Sequence, residues 1–211
     1  MKPYERLGLV AGLGGLGALG GLAAAGAGRA LSRRRVDSLD DPYAGIDFTA
    51  IYSDEPSTVT TDDGLALAVR TVDLGGIAPG EKPELTVLFV HGFSLRMASW
   101  HFQRFDLAEH WAQRRIRLVF FDHRGHGKSD AAPPDTCTIA QLSDDVAAVM
   151  RTVAPSGPVV LCGHSMGGMS IMALARRHSE LFGPDGPVAG VALVATAARG
   201  LTEAGLARGL R

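Results

Sequence analysis

The segment Gly163-His164-Ser165-Met166-Gly167-Gly168 sets a serine between glycines two residues away on either side. A serine hydroxyl is a weak nucleophile at neutral pH and acts only when it is displayed and given a base. Small residues at Gly163 and Gly167 let a strand and a following helix approach closely, so that the hydroxyl stands clear of both. The chain holds 27 glycines, so the bare pattern carries little weight. Its flanks carry more: PVVLC (Pro158–Cys162) reads as a buried strand and Met169–Arg177 as a helix. A serine at that corner faces the amide donors and the positive dipole end of the helix behind it. The competing reading is a glycine-rich turn that binds a phosphate or nothing.

A second candidate precedes it. His91-Gly92-Phe93 follows the apolar run LTVLFV (Leu85–Val90). In a strand-turn-helix serine site, the loop after such a strand offers one backbone N–H to the developing oxyanion, and the residue after the nucleophile offers another. That assigns Phe93 and Met166 as main-chain donors. His91, Gly92, Gly163, His164, Gly167 and Gly168 shape the site around them. Losing one such donor typically costs about 3–4 kcal/mol of transition-state stabilisation. A third stretch, DHRGHGKSD (Asp122–Asp130), reads as a turn.

These residues need a scaffold. Thr58–Thr61, Asp63-Gly64 and Leu65–Val72 read as a β-hairpin with a tight Asp-Gly turn. After the strand Leu85–Val90, Trp100–Arg114 has broadly helical spacing and Arg117–Phe121 is a second buried strand. Thr138–Val153 is helical, with Thr138 as N-cap candidate and Gln141 three residues on. The strand and helix around Ser165 follow, then a last strand at Val188–Ala195. A hairpin followed by β-α-β-α-β-α-β implies an α/β fold: a mostly parallel, twisted sheet with helices on both faces.

Taken in order, His91-Gly92-Phe93, Asp122-x-Arg124-Gly125-His126-Gly127-x-Ser129 and the Ser165 segment resemble the α/β-hydrolase superfamily, in its serine esterase and lipase branch, over residues 58–198. The resemblance implies an acyl-enzyme on Ser165, a small-molecule acyl substrate and no cofactor. It implies a mostly structural role for Asp122, Arg124 and His126. Aspartate stands at the nucleophile position in epoxide hydrolases and haloalkane dehalogenases, so Ser165 points away from both. It also implies a catalytic acid and a histidine after the serine. After Ser165 the chain offers one histidine, His178, about 13 residues on, or roughly 20 Å along a helix. The expectation is therefore a chain that stops before its acid, its general base and two strands. Two other readings stand beside the hydrolase: a binding protein that keeps the fold without catalysis, and an acyltransferase or cofactor-free haloperoxidase on the same scaffold.

Residues 1–57 read as a separate region. Between Leu7 and Gly28, 22 residues carry no charge. That length can span a bilayer, which takes about 20 residues. Arg29, Arg33, Arg34 and Arg35 follow and favour a cytoplasmic catalytic domain anchored at the membrane. A cleaved signal peptide on a secreted protein and a flexible Gly/Ala tail are the alternatives. Residues 36–57 read as a polar linker, and residues 58–211 as the hydrolase domain. A net charge of −1 gives no basic face for nucleic acid. Cys137 and Cys162 form no metal or disulfide pattern, and Cys162 reads as a buried free thiol.

Overall fold

A computed structural model describes residues 43–198. One compact unit begins at Asp47. Residues 7–28, read above as an apolar anchor, lie outside the described residues. Among those described, no helix is long and apolar enough to cross a membrane.

Among the described residues the sheet has six strands: β1 (Glu55–Thr60), β2 (Ala66–Asp73), β3 (Leu85–Val90), β4 (Ile116–Phe121), β5 (Val159–His164) and β6 (Val188–Val194), in the order β1-β2-β4-β3-β5-β6. The β1, β2 and β4 pairings are antiparallel, while β4, β3, β5 and β6 run parallel. Three helices connect the parallel strands: α1 (His101–His110), α2 (Ile139–Val153) and α3 (Met166–Arg177). The chain leaves β3 toward β4 on one side, and β5 returns on the other. This reversal opens a crevice at the carboxyl ends of β3 and β5, where open α/β sheets bind ligands.

The central strands are mostly apolar because both of their faces are covered. On β3, Val87 and Phe89 face one layer, Leu88 and Val90 the other. The first layer holds Met97, Trp100, Leu118 and Phe120; the second holds Val146, Val149, Leu161, Ile171 and Leu174. Phe89 stacks on Phe120 at 4.8 Å between ring centroids.

Several boundaries move. The ordered unit takes in residues read as linker: Ile51, in the 3-10 turn Ala50–Ser53, is fully buried, and β1 starts at Glu55. The hairpin turn is a three-residue loop, Asp62-Asp63-Gly64, closed by Thr61 N–H donating to Leu65 O, with Gly64 at φ 86°. The expected Trp100–Arg114 helix is shorter, because Met97–Trp100 is a 3-10 turn that buries Trp100 before α1 begins. Thr138 Oγ1 does accept the Gln141 N–H at 3.1 Å, but the Gln141 side chain reaches forward to Asp145 rather than back.

Candidate active site

β5 ends at His164 and α3 begins at Met166, leaving Ser165 alone at the corner with φ 51° and ψ −117°. A side chain rarely adopts that backbone conformation, which costs of order 1–3 kcal/mol. The surroundings hold it there. Ser165 N–H donates to Val194 O at 3.0 Å, and Thr196 Oγ1 donates to Ser165 O at 2.6 Å. A methyl group at Gly163 would lie 2.6 Å from Ile171 Cδ1 and 2.7 Å from Gly168 N. One at Gly167 would lie 2.2 Å from Val90 O, and one at Gly168 would strike Thr196. Gly163 and Gly167 are therefore required by the closeness of α3 to β5 and to the end of β3, and Gly168 by its closeness to the segment after β6.

The His91-Gly92-Phe93 loop abuts this corner. A Cβ on Gly92 would sit 3.2 Å from Ser165 Cβ and 2.9 Å from His164 Nδ1. Among the described residues, the Phe93 and Met166 N–H groups and the Ser165 hydroxyl have no hydrogen-bond partner. Phe93 turns its ring to solvent, and His164, half-buried, stands edge-on to Trp100.

His91 is wholly buried and tied at both nitrogens. Nδ1 donates to Gly92 O at 2.8 Å, and Nε2 accepts the His123 N–H at 3.0 Å. Burial pushes its pKa down to about 4, so the ring is neutral. Asp122 Oδ1 lies 3.8 Å from Nε2, but this is not an ion pair, because Nε2 carries no proton. His123 returns the bond: its Nε2 donates to His91 O at 3.1 Å. His126 Nδ1 donates to Arg124 O at 2.9 Å, and its Nε2 accepts the N–H of Ser94, another residue at positive φ (58°), at 3.3 Å. The loop after β3 is thus hung on the loop after β4 by three imidazoles.

Asp122 links the same two loops, accepting the Met97 and Lys128 N–H groups at 2.6 and 2.7 Å. Burial raises its pKa. Arg124 has no exposed side-chain surface and holds Asp145 by two bonds of 2.7 Å and Asp63 by bonds of 2.7 and 3.0 Å. The structural role expected for Asp122, Arg124 and His126 is what their bonds show. His178 closes the far end of α3 and bonds Asp144 at 2.8 Å, away from Ser165. Cys162 is free and half-buried.

Sequence reasoning did not find Thr196, nor the pairing of His91 with His123 and of His126 with Ser94. Each joins segments about 30 residues apart, and no local pattern signals the contact. Chemically, the corner presents a displayed hydroxyl beside two unpartnered amides, which suits attack on a carbonyl.

Comparison with known proteins agrees with this fold. The "Probable oxidoreductase EphD" of Mycobacterium tuberculosis is 32% identical over 120 residues, covering 56% of this chain and 18% of that protein. The 2-(acetamidomethylene)succinate hydrolase of Mesorhizobium japonicum is 31% identical over 116 residues, 53% of this chain and 39% of that protein. A thermophilic esterase from Thermogutta terrifontis, solved with malate bound, superposes with a TM-score of 0.52 at 30% identity, over 69% of this chain and 47% of the esterase. The chain thus spans less than half the length of each. A family model described as serine aminopeptidase, S33, matches residues 81–208. The chain belongs to that family, and with its six-stranded, mostly parallel sheet it is an α/β-hydrolase.

Proposed function

We propose that the protein is a serine hydrolase of carboxylic esters. Ser165 Oγ attacks the acyl carbon, the bond to the alcohol oxygen breaks, and water then releases the acid from the acyl-enzyme. The Phe93 and Met166 N–H groups take the oxyanion. The observation that carries the reading is Ser165 held at φ 51° between β5 and α3, with a glycine loop against it and no hydrogen bond on its hydroxyl among the described residues. A binding protein has no use for a strained serine. Serine also excludes the aspartyl-ester route of related folds. The likeness to the Thermogutta terrifontis esterase supports an ester as the substrate.

The proposal places the general base and its acid outside residues 43–198. His91 and His126 are committed to loop bonds, and His178 to Asp144. It also includes membrane attachment through residues 7–28, from their lack of charge and the arginines that follow. A fluorophosphonate probe on the native gene product tests both parts. The expected outcome is labelling at Ser165, lost in Ser165→Ala, with the labelled protein in the membrane fraction. Folded wild-type protein that takes no label removes the hydrolase reading, and label confined to the soluble fraction removes the anchor.

A further inference from the structure

We propose that the cleft beside the loop after β3 is a subsite for a carboxylate, so that the ester cleaved at Ser165 carries a negative charge remote from the scissile bond. The identification of that ligand as substrate rests on the serine-hydrolase reading; the anion site itself rests on the cleft.

The cleft has a volume of about 780 Å³. This falls within the few-hundred to ~1,000 Å³ typical of small-molecule sites. Among the described residues, no aspartate or glutamate lines it, and Arg96 is its one lysine or arginine. Asp122, a carboxylate that feels the charge of Arg96, is buried and already holds two backbone N–H groups. Among the described residues Arg96 makes no ion pair, whereas Arg104, Arg117, Arg124 and Arg177 each hold a carboxylate. Its backbone is fixed, since its carbonyl accepts the Ser99 N–H at 2.9 Å. Tyr52 lines the same cleft, close enough to Arg96 to feel its charge. His101 donates Nδ1–H to Ala98 O at 2.7 Å, which leaves its Nε2 uncommitted on the cleft wall. Phe48 packs on the His101 ring at 4.3 Å and remains 43% exposed, an apolar surface beside the cation.

A guanidinium fork matches a carboxylate, which it can hold by two parallel bonds. One guanidinium compensates one negative charge and leaves a phosphate dianion half-neutralised. The cleft also connects to the nucleophile. A smaller cavity of about 250 Å³ is lined by His164 and Val194, which flank Ser165, and it shares Leu95 and Ser99 with the cleft. From Gly92, against Ser165, to Arg96 is four residues of chain, at most about 14 Å. The backbone that carries Arg96 therefore lies within that distance of the loop that abuts Ser165.

The test is a titration of the native gene product carrying Ser165→Ala with phenylacetate, phenylacetamide and inorganic phosphate, followed by amide NMR shifts at constant pH. Phenylacetate is expected to shift the Arg96 and Ser99 amides. Phenylacetamide and phosphate should bind at least tenfold more weakly. Arg96→Gln should weaken phenylacetate at least tenfold and Arg96→Lys less, with amide spectra otherwise unchanged. Equal binding of the amide, or full affinity in Arg96→Gln, overturns the anion site. Phosphate binding as tightly as phenylacetate overturns its assignment to a carboxylate. The titration does not use the Ser165 hydroxyl. Phenylacetate binding in a protein that the fluorophosphonate leaves unlabelled would keep the site and discard the esterase, and labelling without binding would do the reverse.

Discussion

At Ser165 the decisive contacts are made by what its neighbours lack. A methyl at Gly167 meets backbone, 2.2 Å from Val90 O and 2.7 Å from His91 O, and neither atom can move without distorting β3. Gly167→Ala should cost about 2–3 kcal/mol in urea unfolding, the range for forced overpacking. A methyl at Gly92 meets side chains instead: the His164 ring, with Nδ1 at 2.9 Å, can rotate away, and Ser165 Cβ at 3.2 Å has to give by only a few tenths of an ångström. Gly92→Ala should therefore cost roughly 1 kcal/mol or less in stability. It should still slow fluorophosphonate labelling by more than about tenfold, because misplacing a reacting atom by about 1 Å can cost up to a hundredfold. Wild-type labelling by Gly92→Ala would show that the loop does not bear on the nucleophile.

The elements are joined by Arg124, which ties the turn after β4 to α2 through Asp145 and to the β1–β2 hairpin through Asp63. Arg124 and Asp145 have no exposed side-chain surface, while Asp63 is 39% exposed. Removing one partner of a buried pair strands the other charge and costs about 3–5 kcal/mol. Solvent screens an exposed partner. Chemical denaturation should accordingly rank Asp145→Ala well below Asp63→Ala, and equal losses would mean that Arg124 is hydrated after all. This triad also marks how far the sequence could be read. β3, β4 and β5 were legible because strands covered on both faces are mostly apolar runs, β6 was legible from its apolar run although it lies at the sheet edge and is largely exposed, and the corner at Ser165 was legible from its glycines. The start of β1 was not, since EPSTVT pairs through its backbone and buries only Val59. Nor was the reach of Arg124 to Asp63 and Asp145, 61 and 21 residues away, because it depends on the strand order and not on any local period.

For the molecule as a whole, the same strand order places two neutral histidines in the interior, between the carboxyl ends of β3 and β4. Burial depresses His91 to about 4 and His123 well below the usual histidine value of 6.5. The groups facing them are Asp122, His126 and His164. His91 Nε2 must stay unprotonated to accept the His123 amide. A depressed folded pKa contributes stability that is fully present above about 6.5, where neither state binds the proton. Below that value the unfolded chain is protonated first, so stability falls with pH, by up to about 1.4 kcal/mol per unit for each histidine. For His91 this decline runs from about 6.5 down to about 4. The urea midpoint should therefore drop between pH 7 and pH 5, and His91→Gln should drop less steeply across the same window, whatever its stability at pH 7. If the two slopes coincide, His91 is not the proton acceptor in the unfolded chain that this account requires, and the loop after β3 must be held by the backbone bonds alone.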